Sequence, residues 1–185
     1  TKRLFIITDN TETGILERDL AQKELAKLNQ SIELNWLYDL SLDELKQKIS
    51  NLTKDDLVLL VLFNKDSLGK SYNFEYIGKT VSNASPVPVY GLWDFYLGTG
   101  VLGGYVVNAE YQGQKASELV IRIIRGEKLS NLGIIKSNIN KYMFDGDVLS
   151  KFDINLDKVP QESIVLNKSK DWILKNWDVF SQDAY

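Results

Sequence analysis

A chain of 185 residues, 44% of them hydrophobic, is long enough to bury one sizeable core. Its 22 Lys and Arg against 25 Asp and Glu leave a net charge of −3 with no basic run, which argues against electrostatic capture of nucleic acid. Having neither cysteine nor histidine, it has no access to thiol catalysis, Ser-His-Asp triads, structural zinc sites or histidine pH switching.

In chain order, Leu4 to Thr8 is a short apolar run that predicts a strand, bounded by Asp9 and Asn10. Leu16, Leu20, Leu25 and Leu28 then fall near one face of a helix. Ile32 to Leu37 alternates as a half-buried edge strand does. Ser41 before Leu42, Leu45 and Ile49, with Glu44 three residues on, reads as a capping box opening a second helix. Leu57 to Phe63 is uniformly apolar, the pattern of a central parallel strand covered on both faces. A polar loop from Asn64 to Ser71 leads to a helix over 72–82, and Val87 to Tyr90 is a fourth strand.

Tyr105 to Val107 is a fifth strand candidate. Ala116, Leu119, Val120, Ile123 and Ile124 make a helical stripe that ends at Gly126. Beyond it, Tyr142 to Phe144 suggests a strand, 147–152 a short helix, and Ile164 to Leu166 an extended segment. Trp172, Ile173, Trp177 and Phe180 recur at helical spacing, so the expected division is a domain over 1–167 and an amphipathic connector helix over 168–185. The alternation predicts an α/β fold: a mainly parallel sheet with right-handed crossovers and helices on both faces, a Rossmann-like lobe. No run of about 18 apolar residues suggests a membrane span.

Open α/β sheets bind ligands outside the carboxyl ends of their strands. On that rule Asp9, Asn10, Thr11 and Thr13, then Asn64 and Asp66, then Trp93, Asp94 and Tyr96 should share one rim. Asp9, Asn10, Thr13, Asn64, Trp93, Asp94 and Tyr96 are the expected binding residues, the acids and amides by hydrogen bonding and Trp93 by stacking. The competing reading of Asp9 and Asn10 is an Asx turn or helix cap, and that of the aromatics is core packing. Gly98 to Gly103 matches the G-x-G-x-x-G string but lies far from the preceding strand and is followed by another, so tight turns and close backbone approach explain it better than dinucleotide binding. Thr8 to Gly14 has the hydroxyl-rich look of a flavodoxin phosphate loop, and Trp93 with Tyr96 would flank a flavin ring, so a flavodoxin-like carrier of electrons on flavin mononucleotide is the rival reading. Against a flavin, Asp9 and Glu12 would sit beside its phosphate. No cofactor and no metal are expected.

Ser85 to Gly104, Glu110 to Ala116, Ile124 to Glu127, Asn140 to Asp145 and Pro160 to Asn167 together resemble the substrate-binding-protein-like domains of ABC transporters that serve as extracytoplasmic sensors. The resemblance implies one lobe of a type I periplasmic-binding-protein fold, non-enzymatic in itself, on the extracytoplasmic face of a bacterial inner membrane. The output module, a histidine kinase or diguanylate cyclase, would lie outside this chain, as would any membrane segment. A small polar or amphipathic ligand is the implied partner, and a solute-binding component of an ABC transporter is the nearest variant. Lys2 to Thr8 resembles the opening of the second lobe. The helix over 110–125 would then lack its usual neighbour, and its apolar stripe suggests a homodimer.

Overall fold

The computed structural model describes residues 3–27, 32–132, 140–168 and Ile173. Five strands arise where the sequence is apolar and β-branched: β1 (Arg3–Ile7), β2 (Glu33–Leu37), β3 (Asp56–Leu60), β4 (Val89–Gly91) and β5 (Gly103–Val107). Between and after them run α1 (Glu12–Leu25), α2 (Leu42–Ser50), α3 (Phe74–Ala84) and α4 (Ala109–Ile124), followed by β6 (Asn140–Asp145), α5 (Gly146–Lys151) and β7 (Ile164–Leu166). The sheet order is β2-β1-β3-β4-β5-β6-β7, parallel throughout except for the antiparallel pairing of β5 with β6.

This is the expected α/β architecture. The chain moves outward from β1 to β2 and then returns past β1 to β3, so right-handed crossovers put α1 on one face and α2 and α3 on the other. Phe5, Ile7, Val58, Leu60 and Val89 point to the second face and pack with Leu42, Leu45 and Ile49 of α2 and Ile77 and Val81 of α3. Ile6, Val61 and Leu62 form a smaller cluster on the α1 side, with Leu4, Leu25, Trp36 and Leu59 around it. A third cluster, Leu102, Phe144, Val148 and Leu149, joins α5 to β5 and β6. Ser41 and Glu44 form the expected capping box, with the Glu44 carboxylate accepting the Ser41 amide at 2.8 Å.

Two helices differ from their sequence patterns. Leu16 and Leu20 of α1 are 59% and 48% exposed, and Gly14 is its one buried residue. The inward stripe of α1 runs through Gly14, Glu17, Arg18, Ala21 and Leu25, so the apolar residues at 16 and 20 face out. Similarly, no side chain of α4 is buried, and Val120, Ile121, Ile123 and Ile124 are exposed. The sheet face on the α1 side is itself partly open. Leu4, Leu57, Leu59, Tyr90, Leu92 and Tyr105 flank an apolar hollow of about 250 Å³ there, because the β4–β5 connection holds one 3-10 turn (Asp94–Tyr96) and no crossover helix. The expected connector over 168–185 lies outside the described residues apart from Lys168 and Ile173, as does Leu28. Among the described residues no helix is long and apolar enough to cross a membrane.

Candidate functional site

The sheet order reverses between β1 and β3, so the loops leaving their carboxyl ends diverge and open a crevice. Asp9 lies at its floor, 1% exposed. Its Oδ1 accepts the Thr11 amide (3.0 Å) and hydroxyl (2.6 Å), and its Oδ2 accepts the amides of Asn64 (2.8 Å) and Lys65 (3.2 Å). All of these bonds are internal: Asp9 clasps the β1 loop to the β3 loop. Thr11 passes the connection on, accepting the Gly14 amide at 3.1 Å as the N-cap of α1.

Above this floor lie two adjoining hollows that share Thr11. The first, about 290 Å³, is lined by Thr11, Thr13, Leu62, Asn64, Phe74, Trp93 and Phe95. Its wall is a run of stacked rings: Trp93 lies 5.5 Å from Phe95 at 14°, and Phe95 lies 4.4 Å from Phe74 at 26°. Asn64 Oδ1 and Trp93 Nε1 are both covered from solvent and have no hydrogen-bond partner in the protein. Buried polar atoms are normally paired, and both of these exceptions belong to residues that line the one hollow.

The second hollow, about 310 Å³, is lined mainly by polar residues, among them Asn10, Asp39, Lys65, Asp66 and Ser67. Asn10 Oδ1 accepts from Arg18 Nη1 at 3.0 Å, and the Arg18 guanidinium lies over the Tyr38 ring at 4.2 Å. Asp66 accepts the Leu68 and Lys70 amides at 3.1 and 2.9 Å and the Tyr72 hydroxyl at 2.8 Å. Burial works against the Asp66 charge, but the Tyr72 hydroxyl and three backbone amides outweigh it and hold the carboxyl below its ordinary range. Burial and then Asp66 push the Tyr72 phenol up to about 12.

Of the residues expected from sequence, Thr13, Asn64 and Trp93 meet in the aromatic hollow and Asn10 lines the polar one. Asp9 lies beneath both. Asp94 turns away from the rim: its Oδ2 accepts Asn108 Nδ2 at 3.1 Å and the Ala109 amide at 2.8 Å, at the start of α4. Tyr96 is fully buried in the main core, and burial raises the pKa of its phenol. Phe74 and Phe95 complete the wall without having been singled out. A 3-10 turn advances about 120° per residue, which sends Phe95 outward and Tyr96 inward. Among the described residues no group of three His, Cys, Asp or Glu side chains could hold a metal ion.

No protein-family model matches the chain, and no curated protein does. Solved structures do share its fold. CD0873 of Clostridium difficile, described as a substrate-binding protein with adhesive properties in its ligand-free, open form, superposes with a TM-score of 0.67 at 19% identity. A conserved domain protein of Vibrio cholerae superposes with a TM-score of 0.57 at 12% identity. Each alignment covers 89% of this chain and 54% of the other. The chain therefore has a substrate-binding-protein-like fold and spans about half the length of these structures.

Proposed function

We propose that this chain is a ligand-binding lobe of the type I periplasmic-binding-protein kind and that it serves as the extracytoplasmic sensing part of a bacterial signal-transduction protein at the inner membrane. Its guest is a small polar or amphipathic molecule held at the carboxyl ends of β1, β3 and β4. Such a lobe carries no catalysis of its own; it reports occupancy by a change in shape.

The pairing of Asn64 Oδ1 and Trp93 Nε1, unpartnered beside a stacked Trp93–Phe95–Phe74 wall, carries the reading. A planar group would stack on that wall while its polar edge meets the amide and the indole N–H. The experiment is a thermal-shift screen with amino acids, nucleosides, sugars and short organic acids, each stabilising compound being titrated by calorimetry. The reading predicts a stabilising compound whose binding is lost in Trp93→Ala. Absence of any such compound counts against it.

The description of CD0873 as a substrate-binding protein supports a second reading, a solute-binding component of an ABC transporter. A membrane span and an output module in the same reading frame favour the sensor, whereas a separate permease partner favours transport.

A second copy of the chain is the proposed protein partner. The exposed stripe of α4 has Glu110 at one end and Arg125 at the other, so an antiparallel pair of α4 helices sets unlike charges opposite each other. Light scattering should then give twice the 21.1 kDa chain mass; a monomer at micromolar concentration rejects the pairing.

A further inference from the structure

We propose that Asp94 is the positioning residue through which the aromatic hollow sets the direction in which α4 leaves the sheet. The inference rests on the ligand site proposed above and adds to it a route out of that site.

Asp94 stands between Trp93 and Phe95, two rings of the hollow's wall. Its Oδ2 takes both the Asn108 side-chain amide and the Ala109 backbone amide, the N-cap and first residue of α4. A carboxylate there makes charge-assisted bonds and meets the positive end of the helix dipole. Asn108 is itself committed to the helix, since its Oδ1 accepts the Tyr111 amide at 2.8 Å. The neighbouring backbone tightens the link: the Val107 amide donates to the Leu92 carbonyl at 2.8 Å, and Trp93 forms an isolated parallel bridge with Val107.

Among the described residues α4 is otherwise lightly held: none of its side chains is buried, and Tyr111 receives Lys141 of β6 over its ring at 4.7 Å. A helix of 16 residues is about 24 Å long, so a turn of about 10° at its anchored end displaces its far end by about 4 Å. A guest that stacks on Trp93, whose neighbour Phe95 is already stacked between Trp93 and Phe74, shifts the adjoining Asp94, and α4 amplifies the shift as a lever. A fully buried helix could not respond in this way; an exposed one held at its first turn can.

Because the chain has no cysteine, Ser117→Cys on α4 and Asn83→Cys on α3 can carry two spin labels whose distance distribution reports the angle of α4. Asn108→Asp keeps the acceptor for Tyr111 but replaces the donor facing Asp94 with a second carboxylate. We expect it to shift or broaden the distribution, and adding Asp94→Asn to reverse that change only in part: the repulsion is relieved, but an amide nitrogen turned toward the new carboxylate cannot also accept the Ala109 amide that Oδ2 accepts in the parent. Thr13→Trp, which enlarges a side chain lining the hollow, stands in for an occupant. It should move the mean distance while Asp94 is present and leave it unmoved in Asp94→Ala. An unchanged distribution in Asn108→Asp, or the same response to Thr13→Trp with and without Asp94, overturns the proposal. These measurements need no ligand, so a failed ligand screen and a failed latch remain separate results.

Discussion

Asp9 Oδ2 accepts the Asn64 amide at 2.8 Å across 55 residues of sequence, and through this bond the loop after β1 is fixed to the loop after β3. The carboxylate is buried and takes four protein donors in all. Asp9→Ala leaves these donors without their acceptor and should lower the unfolding free energy by about 3 kcal/mol. Asp9→Asn, which keeps one acceptor oxygen, should cost less. Urea denaturation measures both, and an Asp9→Ala protein as stable as the parent would remove the clasp from the account.

Gly103 lies where β5 enters the sheet, at φ +105, and a Cβ there would run into the Met143 carbonyl of β6. Gly103→Ala therefore meets both a backbone penalty and a clash with a rigid neighbour. It should cost more than about 2 kcal/mol and loosen the β5–β6 pairing. Amide exchange at Val106 and Lys141, which face each other in the β5–β6 ladder, would show the loosening directly; unaltered protection there would contradict it.

The parallel half of the sheet was legible because its strands are apolar on both faces, as Leu57 to Leu60 shows, and because its caps carry their own signals, as Ser41 and Glu44 do. The antiparallel direction of β6 was not, since Tyr142 to Phe144 says strand without saying which way it runs. Placing the site at the carboxyl ends followed from topology alone. The roles of individual residues did not. An Asp after a strand is the same letter whether it reaches a ligand, clasps two loops as Asp9 does, or anchors a helix as Asp94 does. Only the donors around it distinguish these cases.

The pH dependence of stability should carry the mark of Asp56. Arg3 donates to it through Nε (2.7 Å) and Nη2 (2.8 Å). This pairing, opposed by burial and helped by Thr53, lowers its pKa from the ordinary 3.8 to about 2. A carboxyl whose folded pKa is depressed stabilises the fold fully above its unfolded value and loses that contribution as the pH falls through its folded value. The pair should thus weaken between about pH 4 and pH 2. Arg3→Gln removes the main cause of the shift, so its acid-unfolding midpoint should move to higher pH in a circular dichroism titration. No movement would show that Asp56 does not govern acid stability.

The hydroxyl-rich segment from Thr8 to Gly14 is spent within the protein, for Thr11 Oγ1 donates to Asp9 and accepts from Gly14. The Gly14 amide is thereby withdrawn from any phosphate, and a carboxylate lies beside it. The purified protein should be colourless and should not quench flavin mononucleotide fluorescence on mixing. Tight uptake of the flavin would favour an electron-carrier reading.

The central claim, that a small guest occupies the hollow walled by Trp93, Phe95 and Phe74, is tested most directly by calorimetric titration of a compound found in the thermal-shift screen against the parent, Trp93→Ala and Asn64→Ala. Loss of the stacking surface or of the amide should weaken binding at least about tenfold, corresponding to about 1.4 kcal/mol, with the fold retained by circular dichroism. Unchanged affinity in both variants would place the ligand elsewhere and contradict the account.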